Sequence, residues 1–122
     1  MENREIKFRA KVLGENNWTY SNGFMKHKDG LIIIITKELD EHVETSPIQE
    51  NTLCQFTGLK DKNGQDIYEA DVLNSNYFKN AQVVFWRSGW HLRTEKDTHY
   101  SFDTSMHSFE IIGNIHENSN LL

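Results

Sequence analysis

Apolar and polar side chains alternate along residues 5–12, with Ile6, Phe8, Ala10 and Val12 on one parity and Lys7, Arg9 and Lys11 on the other. A period of two is that of a strand with one face on a core and the other in water. Gly14, Glu15, Asn16 and Asn17 form a turn cluster; Trp18 and Tyr20 open a second strand, which breaks at Asn22-Gly23 and resumes with Phe24 and Met25. Asp29-Gly30 is the next turn. Leu31, Ile32, Ile33, Ile34 and Ile35 then run without alternation. A β-branched run of this kind reads as a strand covered on both faces, the expected centre of the core. Residues 37–47 are acidic and end at the only proline, which predicts a loop or one exposed helical turn with its charges in water.

The second half carries more strands. Residues 52–56 lead to Gly58 and to Asp61-Lys62-Asn63-Gly64, where Asn-Gly suits the two positive-φ positions of a type I′ hairpin turn. Gly58, Asp61, Asn63 and Gly64 are therefore expected as structural turn residues. Ile67, Tyr68, Val72 and Leu73 continue the sheet, residues 74–80 are polar without a period, and residues 83–86 and 90–93 flank Ser88-Gly89 as a hairpin. Residues 94–107 hold Tyr100 and Phe102 one strand period apart with Met106 beyond, which predicts a loop with a short irregular element. Phe109, Ile111, Ile112, Gly113, Asn114 and Ile115 form the last strand, and Leu121-Leu122 is expected to pack back onto the body. No period of 20–50 residues repeats, which excludes solenoids and propellers. Short strands joined by tight turns predict a mostly β fold with little helix: a small, partly open barrel, SH3-like in part, with a subsidiary sheet.

Composition narrows the class. A chain of 122 residues with 37% hydrophobic, 25% charged and 11% aromatic residues predicts a single domain over residues 1–122 that folds around a real core. With no 18-residue apolar run and no apolar signal region in the first residues, neither membrane insertion nor export is expected, and the protein is placed in the cytoplasm. The single cysteine, Cys54, cannot close an intramolecular disulfide and sits near Leu53 and Phe56 as a small buried hydrophobe. The net charge of −5, with 13 Lys and Arg dispersed among 18 acids, disfavours general nucleic-acid binding.

Each candidate chemistry has a plainer alternative. Aligning Gly64 with the invariant glycine of a calcium loop places Leu59 at the first ligand position and Ala70 at the terminal glutamate position, so the register fails. The six histidines, His27, His42, His91, His99, His107 and His116, show no local metal-binding spacing. Glu69 and Asp71 share one parity and could serve as acid and base, yet an acidic residue beside a turn more often caps backbone N–H groups. No hydrolase elbow, phosphate loop or Cys/His pair is present. No catalytic residue, cofactor or metal is expected. The densest mixture of aromatic and basic residues is Trp86, Arg87, Trp90, Arg93, Lys96 and Tyr100. Of these, Arg87, Trp90, Arg93 and Tyr100 form the candidate interaction surface. An alternative is a single-stranded nucleic-acid-binding module that stacks bases on Trp86, Trp90 and Tyr100 beside Arg87, Arg93 and Lys96.

Three segments carry a resemblance: residues 4–10 (REIKFRA), residues 55–72 (QFTGLKDKNGQDIYEADV) and residues 110–118 (EIIGNIHEN). Together and in this order they resemble the YopX family of phage and prophage proteins. The middle motif is the most specific. Two positions depart from that pattern: Ala70 stands where relatives usually carry glycine, and Ser119 where a proline is common. Ala70 implies that no positive-φ glycine is needed at that point. The resemblance implies a small, mostly β protein of a phage or an integrated element, acting in the cytoplasm of a bacterial host, and implies no particular activity. The expected role is a non-enzymatic accessory module that oligomerises or binds a phage or host protein. The hairpin of residues 83–93 is the expected contact edge, with Trp90 as anchor.

Overall fold

The computed structural model describes residues 5–39, 42–102 and 108–118, without the side chains of 36–39 and 42–43. The expected packing of Leu121-Leu122 and the placement of Met106 lie outside the described residues. The chain divides into two compact units, Met1–Phe56 and Thr57–Leu122. The first holds β1 (Phe8–Lys11), β2 (Trp18–Ser21), β3 (Phe24–Lys26), β4 (Ile32–Leu39), β5 (His42–Pro47), a 3-10 turn (Glu50–Thr52) and the start of β6 (Cys54–Lys60). The second holds the rest of β6, then β7 (Asp66–Tyr68), β8 (Asp71–Asn74), β9 (Ala81–Trp86), β10 (Gly89–Arg93), β11 (His99–Ser101) and β12 (Glu110–Asn114).

The mostly β class is as expected. The described strands form separate sheets and none closes on itself. Closure needs a continuous ladder with a consistent stagger, whereas the strands at several sheet margins are only three residues long, β3 and β11 among them.

In the first unit β1 lies between β2 and β6, antiparallel to both, with Arg9 opposite Tyr20 and Lys11 opposite Trp18. The parity of Lys7, Arg9 and Lys11 is as expected, but Arg9 and Lys11 are buried, at 8% and 6% exposure. Their charged ends lie over Trp18, with Arg9 Cζ 4.6 Å and Lys11 Nζ 5.5 Å from the ring centroid, and Lys11 Nζ also donates to Asn16 Oδ1 at 2.8 Å. A cation over an indole face is attracted by the ring's quadrupole. Ala10, Ile34 and Ile48 form a small core on the other parity, joined by Phe8, Ile32 and Leu53.

The isoleucine run is not the centre of a core covered on both faces. Strand β4 is the middle of a three-stranded sheet ordered β3-β4-β5; Ile34 is fully buried, Ile33 and Ile35 are half-buried, and Leu31 is exposed. Residues 37–47 are not a loop either. Residues 37–39 continue β4 and residues 42–47 form β5, with a register shift between Ile35 and Lys37. Strand-favouring Val43 and Thr45, paired with Glu38 and Ile35 across the ladder, outweigh the acidic composition.

The larger described core belongs to the second unit: Ile67, Leu73, Ala81, Val83, Leu92 and Phe109, flanked by Leu59, Phe78, Trp90, Phe102 and Ile111. It packs on one face of a five-stranded sheet ordered β11-β10-β9-β8-β12. Within that sheet Leu92 lies opposite both Val83 and Tyr100, and Leu73 opposite both Ala81 and Ile111. Both strands of the residue 83–93 hairpin are therefore interior, and among the described residues the edge strands are β11 and β12. Cys54 is buried, as expected, with Sγ 3.2 Å from Thr52 O.

Candidate functional site

The middle motif is a set of backbone-closing devices. The Asp61 carboxylate, in a residue only 7% exposed, accepts from Asn63 N (2.8 Å) and Gln65 N (2.9 Å) through Oδ1 and from Ile111 N (3.2 Å) through Oδ2. Gly64 N donates to Asp61 O at 3.0 Å, and Lys62 N donates to Phe109 O at 2.8 Å. Gly64 is at φ +81, but Asn63 is not in the left-handed region, so this is not the type I′ turn that Asn-Gly suggested. An aspartate that gathers the turn's N–H groups, followed by one left-handed glycine, fits the wider turn instead. Gly58 is not in a turn: it sits inside β6 at φ +87, beside Thr57, whose hydroxyl donates to Ile67 O.

Glu69 and Asp71 do not form a pair on one strand face. Glu69 lies in the turn between β7 and β8, while Asp71, 1% exposed, accepts from Tyr68 N at 2.8 Å. Between them Ala70 has φ 75. The position does use the left-handed conformation, contrary to expectation, and the chain holds an alanine there because both of its backbone groups are engaged. Ala70 N donates to Val83 O at 2.9 Å, and Ala70 O accepts from Ile115 N at 3.0 Å. In the last motif Asn114 Oδ1 accepts from His116 N and Glu117 N, and Asn118 Oδ1 accepts from Asn114 N. Asp61, Asp71 and Asn114 thus serve the chain's own backbone.

The candidate surface divides between two sheet faces. The β9–β10 register places Trp90 opposite Phe85 and Gly89 opposite Trp86, and alternation along each strand then separates Trp86 from Trp90. Trp90 and Tyr100 lie on the core-side face, where Trp90 packs against the cluster and Tyr100 meets the Phe78 ring at 5.2 Å. Trp86 lies on the other face with His91, Arg93 and His99. The His99 ring stacks on Trp86 at 4.2 Å and 8°, His91 meets it edge-on at 5.1 Å, and Arg87 Cζ is 4.4 Å from it. The structure therefore brings Trp86, Arg87 and Arg93 together with two histidines, and leaves Trp90 and Tyr100 elsewhere. Lys96 is exposed in the turn between β10 and β11.

The hairpin turn is Arg87-Ser88, not Ser88-Gly89. Both residues have positive φ, 48° and 68°, the backbone of a type I′ turn built without glycine. The β10–β11 turn is held by Arg93 Nε donating to Asp97 Oδ1 at 2.7 Å. That hydrogen bond, with the guanidinium charge behind it, holds the Asp97 carboxyl below the usual carboxylate range. A recess of about 200 Å³ beside this turn is lined by Asn80, Gln82, Arg93, Thr94 and Glu95. Among the described residues no three His, Cys, Asp or Glu side chains gather as a metal site, and no helix is long and apolar enough to cross a membrane.

The fold is that of a two-unit, mostly β protein whose longest motif serves its own turns, and fold by itself assigns no activity. A family model described as YopX protein matches residues 7–122. The chain belongs to the YopX family. No curated protein matches it.

Proposed function

We propose that this chain is a phage or prophage accessory protein that acts in the bacterial cytoplasm by binding protein, further copies of itself included, rather than by catalysis. The observation that carries this reading is where the motif's polar groups end. The carboxylates of Asp61 and Asp71 and the amide of Asn114 meet backbone N–H groups of the chain itself, so the motif shapes loops and strand ends instead of presenting reactive groups. Exposed apolar side chains in or beside the strands, among them Phe24, Met25, Leu31 and Phe85, supply the contact surface such a module needs. Single-strand binding is less favoured. Trp86 faces away from Trp90 and Tyr100, and its own ring is already stacked by His99. Light scattering coupled to gel filtration tests the reading across a tenfold dilution from micromolar concentration. A mass above one chain is expected, and a single-chain mass throughout overturns self-association.

A further inference from the structure

We propose that β3 is the self-association edge, joined by β3 of a second copy running antiparallel about a two-fold axis at Met25. The inference rests on the protein-binding reading above and names its contact. The three residues of β3 are all exposed, with Phe24 at 43% and Met25 at 52%, and among the described residues the strand pairs only with β4. Hydrogen bonds from His27 N to Leu31 O (2.7 Å) and from Ile35 N to Gly23 O (3.3 Å) bracket the ladder. Antiparallel pairs alternate between hydrogen-bonded and non-bonded at two-residue spacing. Met25 and Ile33, midway between those bonds and directly opposite each other, are thus a bonded pair. Phe24 and Lys26 then turn their N–H and C=O groups away from β4, toward the open side.

That open side lacks the usual protections. The β3–β4 register carries no bulge and β3 has no proline; the only charge on the strand is Lys26. It is also self-complementary. Centring the two-fold on Met25 sets Phe24 opposite Lys26 of the second copy and Lys26 opposite its Phe24, so that all four outward-turned residues exchange backbone bonds. Each lysine then lies beside an aromatic ring, a cation–π arrangement. The two Met25 side chains meet in the non-bonded pair, where side chains approach most closely. They share a face with Ile33 of each copy, so an apolar row crosses the junction unbroken. Centring on Lys26 would instead oppose two like charges.

Lys26→Pro is the discriminating variant. It deletes an outward N–H that β4 does not use, and proline is tolerated on edge strands in that orientation. The variant is expected to keep the circular dichroism and melting temperature of the parent while its mass by light scattering falls to one chain. Met25→Cys is expected to form a disulfide-linked dimer on mild oxidation, because Cys54 is buried and does not compete. If Lys26→Pro does not fold, the Met25→Cys cross-link decides. An assembled parent whose mass survives Lys26→Pro, with no Met25→Cys dimer, sinks this interface and leaves the broader reading standing. A parent of single-chain mass sinks this interface and self-association with it.

Discussion

Replacing Asp61 tests whether the middle motif is structural. In Asp61→Ala three backbone N–H groups lose a charged acceptor at 2.8, 2.9 and 3.2 Å. Those of Asn63 and Gln65 belong to exposed residues and rehydrate, which limits each loss to about 1 kcal/mol. The Ile111 N–H, on a half-buried strand residue, finds water less easily and costs about 1–3 kcal/mol when left unsatisfied. The expected total of about 3–5 kcal/mol is a large share of the roughly 6–15 kcal/mol that a chain of this length has to lose. It corresponds to a fall in Tm of roughly 10–20 °C. Asp61→Asn keeps an acceptor for the two turn N–H groups but can set its own NH2 against Ile111 N–H, so about half the loss is expected. Urea denaturation followed by circular dichroism should rank the proteins Asp, Asn, Ala. A loss below about 1 kcal/mol in Asp61→Ala, or an Asn variant no better than the Ala variant, would refute the account of Asp61 as the tie between the turn and β12.

At the strained positions the sign depends on the side chain. Ala70→Val at φ 75 should cost about 2 kcal/mol or more, while Ala70→Gly stays within about 1 kcal/mol of the parent because relief of strain offsets the lost methyl group; equal losses in urea melts would contradict the backbone argument. Ser88→Gly, exposed at φ 68, should raise stability by about 0.5–1 kcal/mol, and a lowered denaturation midpoint would count against the type I′ assignment. The Asp97 carboxyl should titrate by NMR below the ordinary range, and Arg93→Gln should return it upward. Because the folded value is depressed, the pair's contribution is present above the unfolded pKa and is lost as pH falls through the folded one; an unmoved midpoint in Arg93→Gln would show that the ion pair is not the cause. No affinity for single-stranded DNA tighter than about micromolar is expected at physiological salt, and tight, salt-sensitive binding abolished by Trp86→Ala would reinstate the nucleic-acid reading.

Much of the strand order was legible because glycine, asparagine and aspartate punctuate it. The final strand and the break at Asn22-Gly23 lie where turn chemistry put them, and the hairpin of residues 83–93 forms with its turn one residue earlier than Ser88-Gly89 suggested. Pattern alone gives the parity of a side chain but not what covers its face. Arg9 and Lys11 have the predicted parity, and only the pairing of β1 with β2 brings Trp18 over them. In residues 37–39 and 42–47 the acidic composition concealed two strands whose support comes from cross-strand partners. The left-handed positions were the least legible. Asn63 looked suited and is not left-handed, whereas Ala70, Arg87 and Ser88 are, because hydrogen bonds made elsewhere in the fold hold these residues where their own preferences would not.

The division of the aromatic residues could have been read from the hairpin itself. A two-residue turn at Arg87-Ser88 makes Trp86 and Gly89 the first opposed pair, which puts Phe85 with Trp90 and leaves Trp86 on the other face. A two-residue turn one position later, at Ser88-Gly89, would pair Arg87 with Trp90 and Trp86 with His91, and the two indoles would still lie on opposite faces. Because both hairpin strands are interior, Trp90 packs inward and a contact there has no backbone groups to add, whereas β3 offers unpaired backbone groups and exposed apolar side chains on the same three residues. Strand addition draws on both at once, which favours the short edge strand of the first unit over the aromatic hairpin of the second as the proposed contact.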